Sequence, residues 1–166
     1  MDFSKFDATV NNETAKAIEE AKKNAPQGGN LGDLPAGEYT VKIEKMELGA
    51  TKDGRPMFKV QCRVIEAIED DSEAAEYLSH FKAKKPCMFM NRVIYGTKSD
   101  SNMIASVLGW LEKLETEVQP EFINYSQFAD NVLDIFEEVA DAVELDVDYD
   151  PKAFNSISIL EVFDAE

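Results

Sequence analysis

An apolar–polar alternation bounded by turn signals constrains this chain more than any other feature. Tyr39, Val41 and Ile43 fall on one side of a first segment, with Thr40, Lys42 and Glu44 on the other. Period two marks a half-buried β-strand, because successive side chains leave opposite faces. At Glu44-Lys45-Met46 the apolar phase slips to Met46 and Leu48. Such a slip predicts a β-bulge and a sharper bend. Asp53-Gly54 is a hairpin signal. After it Phe58, Val60, Cys62 and Val64 are predicted inward, and Met57, Lys59, Gln61 and Arg63 outward. A long bent strand paired by a hairpin is how a small antiparallel barrel starts.

The remainder follows in order. Residues 66–79 are an acidic connection with room for a helical turn or more. A third strand is expected over about 81–95, broken or confined to a sheet edge by Pro86. Ile104, Val107, Leu108, Leu111 and Leu114 recur at helical spacing, predicting a helix over about 101–115. Phe128, Val132, Ile135, Phe136 and Val139 predict another over about 125–142. Two strands close the chain, 144–150 and 155–163, across a turn at Asp150-Pro151-Lys152. Ahead of all this, residues 12–24 read as an alanine-rich helix and 25–33 as a Gly/Pro linker. The expected organisation is an arm and linker over 1–33 and one domain over 34–166, with an acidic helical insert at about 99–142. The order β-β-β-α-α-β-β is mainly β with a helical insert and matches an OB-like five-stranded antiparallel barrel. An open antiparallel α+β sheet fits the same periodicity.

Charge is segregated along the chain. The formal net charge of −16 argues against phosphate binding when taken alone. However, residues 40–100 carry 11 basic and 10 acidic groups, whereas residues 101–166 carry 2 and 16. Six of the ten acids in the first block lie between Glu66 and Glu76, so the strands themselves are basic. The ordinary reading of any one lysine is a solvated surface charge. Recurrence across three neighbouring strands points instead to a cationic face.

Catalytic and metal signatures are missing. His80 is the single histidine, and no nucleophile elbow, Walker loop or dinucleotide glycine pattern occurs. Asp146, Asp148 and Asp150 begin like a calcium loop, but Pro151 and Ile157 stand where that loop needs Gly and Glu. Cys62 and Cys87 lack partners at zinc spacing and read as reduced core thiols. The expectation is no enzyme, no metal and no cofactor. No apolar run reaches the ~20 residues of a membrane helix. The start lacks a basic region followed by an apolar one, so a cytoplasmic protein is expected.

Single strands are bound by cationic grooves in which aromatic rings stack bases. Lys42 and Lys45 from the first strand, Lys59 and Arg63 from the second, and Lys84, Lys85 and Arg92 around the third are the candidate phosphate contacts. Phe89 and Tyr95 are the candidate stacking rings; for each, burial in the core is the competing reading. The acidic C-terminal third reads as a solvated face, as a competitor for the basic face, or as a surface for replication or recombination proteins. The last residues, Leu160–Glu166, superficially resemble a partner-recruiting acidic tail, but also read as a final strand.

These residues resemble a family of bacteriophage proteins encoded in replication and recombination modules. The resemblance rests on Leu34-Pro35-Ala36-Gly37-Glu38-Tyr39, on the strand Val41–Lys45, on the turn Thr51–Pro56 and on Asn91-Arg92 before a helix, covering about residues 34–112. It implies an OB-like fold and a role in coating single-stranded DNA for replication or annealing, in the cytoplasm of a bacterial host. The acidic insert and the net negative charge depart from that pattern and point to binding that depends on homo-oligomerisation or low salt. The competing reading is an acidic protein-interaction module, or DNA mimic, that inhibits a host DNA-binding protein.

Overall fold

The computed structural model describes residues 33–165; the expected arm and linker lie almost wholly outside this range. Five antiparallel strands form one sheet: β1 (Gly37–Ala50), β2 (Pro56–Ala67), β3 (Cys87–Val93), β4 (Val143–Asp150) and β5 (Ser156–Asp164). Their spatial order is β3-β2-β1-β4-β5. Three helices complete the fold: α1 (Glu73–Leu78), α2 (Asp100–Glu112) and α3 (Tyr125–Val139). The protein is thus mainly β, as expected, but the sheet does not close into a barrel. No ladder joins its two outer strands, β3 and β5, although Met90 and Ile157 touch across the gap.

The alternation translates directly into burial. Tyr39, Val41, Ile43, Phe58, Val60, Cys62 and Val64 are all buried, with Leu145, Val147 and Ile157 joining them from β4 and β5. The expected bulge is present: Ile43 pairs with Cys62 and Lys45 with Gln61, leaving Glu44 as the extra residue. A second irregularity between Thr40 and Val41 leaves Ile65 extra on β2. Each bends the sheet without exchanging its faces.

Pro86 sets the start of β3, which is shorter than the sequence suggests. Its carbonyl accepts from Val64 N at 3.0 Å, and having no N–H it ends the ladder there. Ser72 caps α1 by accepting from Ala75 N at 3.1 Å, and Asn124 caps α3 by accepting from Gln127 N at 2.8 Å. Phe128, Val132, Ile135 and Val139 bury one face of α3, which packs on β1. Val107, Trp110 and Leu111 bury one face of α2. Trp110 Nε1 donates to Ile157 O at 2.7 Å, tying α2 to the inner strand edge of β5. Among the described residues no helix is long and apolar enough to cross a membrane.

Candidate nucleic-acid interface

The register of β1, β2 and β3 decides which side chains share the outer face. Lys42 lies opposite Arg63, and Arg63 opposite Cys87; Lys45 lies opposite Gln61, and Gln61 opposite Phe89; Glu47 lies opposite Lys59, and Lys59 opposite Asn91. Inner residues Met88 and Met90 are buried, so Phe89 between them must point out, and it is 50% exposed. A shallow cleft of about 230 Å3 surrounds it, lined by Lys45, Met57, Lys59, Gln61 and Asn91. An exposed aromatic ring that shares a cleft with two lysines and two amides can accept a flat base and neighbouring phosphates.

The other candidate residues are distributed less simply. Lys42 pairs with Asp141 at 3.6 Å and Lys45 with Glu47 at 3.4 Å; all four side chains are at least a third exposed. Exposed pairs of this kind contribute little and exchange readily. Lys84 is exposed beside the face. Arg63 is already engaged. Its Nε and Nη2 donate to the two carboxylate oxygens of Glu44 at 2.7 and 2.9 Å, and its Nη1 to Lys85 O at 2.7 Å. Gln61 Nε2 adds a bond to Glu44 at 3.1 Å. The guanidinium holds the Glu44 carboxyl below its ordinary pKa, and the same bond raises that of Arg63.

Three expectations need correction. Lys85 is a structural lysine: its ammonium donates to Phe81 O at 2.7 Å, in the turn that follows α1. Arg92 follows Met88 and Met90 on the inner side of β3, opposite Phe58, and so leaves the face that Phe89 occupies. Its Nη1 donates to Phe154 O at 2.8 Å. Tyr95 is exposed, yet it lies beyond the end of β3 and does not line the Phe89 cleft. Its ring meets Tyr125 edge-on at 5.7 Å, the first contact in an aromatic run through Phe122 to Phe128.

Phe154 was missed by sequence reasoning. It is 85% exposed in the β4–β5 turn, and both it and Asn155 adopt left-handed backbone, with φ of 55° and 56°. Two consecutive non-glycine residues in that region are costly. The signal was a lone aromatic residue within Asp150-Pro151-Lys152-Ala153-Phe154-Asn155.

The remaining outer face has the opposite sign. Glu38 lies opposite Asp148, and Asp146 opposite Glu161, on β1, β4 and β5. His80 pairs with Glu76, and among the described residues no group of His, Cys, Asp and Glu is arranged to hold a metal.

Fold and face together define a small antiparallel β-domain with a charge-divided outer surface and one exposed aromatic in its basic half. Residues 19–164 match the family described as Protein of unknown function (DUF669), and the chain belongs to that family. A search of curated proteins finds no match.

Proposed function

We propose that this protein binds single-stranded DNA with little sequence preference, as a non-enzymatic component of a phage or prophage replication or recombination module in a bacterial cytoplasm. The carrying observation is Phe89, half exposed on the edge strand β3, in a cleft that Lys59 lines from β2 and Lys45 from β1. Base–aromatic stacking supplies roughly 1–3 kcal/mol per base, and the lysines supply salt-sensitive phosphate contacts. In this reading the sheet is an OB-like barrel left open between β3 and β5. The order β3-β2-β1-β4-β5 is compatible with that topology, in which the second and third strands form the ligand face. Lys42 and Lys84 extend the phosphate track. Arg63 joins it when a phosphate displaces Glu44. The acidic C-terminal third would then recruit replication or recombination proteins, and self-association would raise avidity.

Fluorescence anisotropy of labelled oligo-dT tests this, at low and near-physiological salt with duplex as competitor. Saturable binding that weakens with salt and resists duplex supports it. Absence of binding even at low salt removes it.

One observation favours a second reading. Carboxylates directly opposite one another across strands repel, and the exposed pair Glu38–Asp148 does so, with exposed Glu161 opposite Asp146, which is half-buried and accepts from Thr40 Oγ1 at 2.7 Å. That arrangement suits a basic protein partner, as in a DNA mimic. This reading predicts capture of a host DNA-binding protein and no oligo-dT binding.

A further inference from the structure

Arg92 leaves the outer face, and its position on the inner side of β3 has a use of its own. It borders a cleft of about 320 Å3 where β3, β5 and α2 meet, along the gap that no ladder closes. Its apolar and aromatic lining is Phe58, Met90, Trp110 and Ile157. Phe58 and Trp110 meet edge-on at 5.8 Å, which fixes both rings. Its polar lining is Arg92 and Lys113 with Ser106, Ser156 and Ser158. No carboxylate lines this cleft, although the chain has 33 acidic residues.

The polar groups here are donors short of acceptors. Arg92 Nη1 donates to the carbonyls of Asn91 and Phe154 at 2.9 and 2.8 Å. Its Nε and Nη2 hydrogen-bond nothing among the described residues. Partial burial pushes the Arg92 pKa down, as expected for a cation removed from water without a counter-ion. Buried Ile157 N donates to the Met90 thioether at 3.5 Å, and sulfur accepts weakly. Lys113 also finds no ion-pair partner among the described residues.

A surplus of donors around a cation pair selects an anion. A carboxylate is satisfied by one guanidinium, whereas a phosphate monoester has the oxygens to engage arginine and lysine together. The volume exceeds that of phosphate alone and falls in the range of small-molecule sites. We propose that this cleft binds a nucleotide-sized phosphate monoester, with the phosphate between Arg92 and Lys113 and the organic group against Trp110 and Met90. The site lies across β3 from Phe89 and does not depend on strand binding there.

Trp110 is the chain's single tryptophan, so its emission reports this cleft directly. The test titrates the full chain with thymidine monophosphate, inorganic phosphate and thymidine. The expected result is a saturable change with the monophosphate, a weaker one with phosphate and none with thymidine. Lys113→Met is exposed at the end of α2 and should keep the fold while weakening the monophosphate response about tenfold; Arg92→Met should do the same. Phe89→Ala should leave it intact. No saturable change by about 10 mM, well above a 1 mM site, overturns the proposal. So does a response indifferent to both substitutions, or one that thymidine reproduces. If phosphate matches the monophosphate, the nucleotide-sized part fails. Competition by a 5′-phosphorylated oligo-dT, but not by its unphosphorylated twin, assigns the phosphate to a strand end; competition by neither assigns it to a free nucleotide.

Discussion

Arg63 grips Glu44 with two charge-assisted hydrogen bonds, Nε to Oε2 at 2.7 Å and Nη2 to Oε1 at 2.9 Å, on the outer face of the sheet. The guanidinium side chain is only 19% exposed and the carboxylate 33%. The pair sits one row from Phe89, so Glu44 competes with a phosphate for Arg63. Glu44→Gln should therefore strengthen oligo-dT binding by roughly 3- to 10-fold, the worth of about one hydrogen bond of ordinary net strength. Anisotropy titrations of the two proteins at matched salt decide it, and equal or weaker binding by the variant removes Arg63 from the phosphate track.

The same pair sets a pH dependence. Glu44 is held below its ordinary pKa by the Arg63 bond. A depressed folded pKa means the contribution to stability is fully present above the unfolded carboxylate value. It is lost as pH falls through the folded one. Denaturation followed between neutral and acid pH should show a smaller stability loss in Glu44→Gln than in the parent. Parallel curves would mean that the pair contributes nothing measurable.

Phe89 and Phe58 make a contrasting pair on neighbouring strands. Phe58 is fully buried and Phe89 half exposed. Phe58→Ala should cost roughly 3–5 kcal/mol of stability through the cavity it leaves. Phe89→Ala should leave the melting temperature nearly unchanged and weaken oligo-dT binding by about 1–3 kcal/mol, roughly 5- to 150-fold. A Phe89→Ala protein that binds normally would place the stacking ring elsewhere, with Phe154 the next to test.

Lys45 and Lys59 flank the Phe89 cleft. If each neutralises one phosphate, Lys45→Ala and Lys59→Ala should each lower the magnitude of the log–log salt slope by about 0.7, the single-strand value. A slope unchanged in both proteins would show that the phosphates run along another path.

Trp110 locks α2 to β5 through the bond from its Nε1 to Ile157 O. Trp110→Phe keeps a ring but leaves that carbonyl unpaired, at a cost of about 1–3 kcal/mol. Urea denaturation measures the loss. Amide exchange should report the opening along β5, which lacks a ladder on its β3 side.

Where period two was uninterrupted, the sequence was enough. Phe58, Val60, Cys62 and Val64 are buried as their spacing predicts, and the slip at Glu44 is a bulge. Around β3 the pattern lost its information. Met88, Phe89 and Met90 are three consecutive apolar residues, and hydrophobicity alone cannot phase them. That ambiguity left Phe89 open to a core reading and put Arg92 on the wrong face. Arg63 was identified on the correct face, but its partner lies 19 residues away in sequence. Only the register of β1 against β2 brings them together. Lys85 looked like any surface lysine because its acceptors are carbonyls at the end of α1 and in the turn after it, which side-chain chemistry does not reveal.

Glu44 is the supernumerary residue of the β1 bulge. Ile43 faces inward before it and Met46 faces inward after it, with Lys45 outward between. Deleting Glu44 would therefore restore plain alternation without moving any other side chain to a different face. The acidic guard on Arg63 is thus a single residue added to the strand's alternation. Evolution could add or remove it in a single event, tuning how tightly the face holds an anion while the core stays as it is.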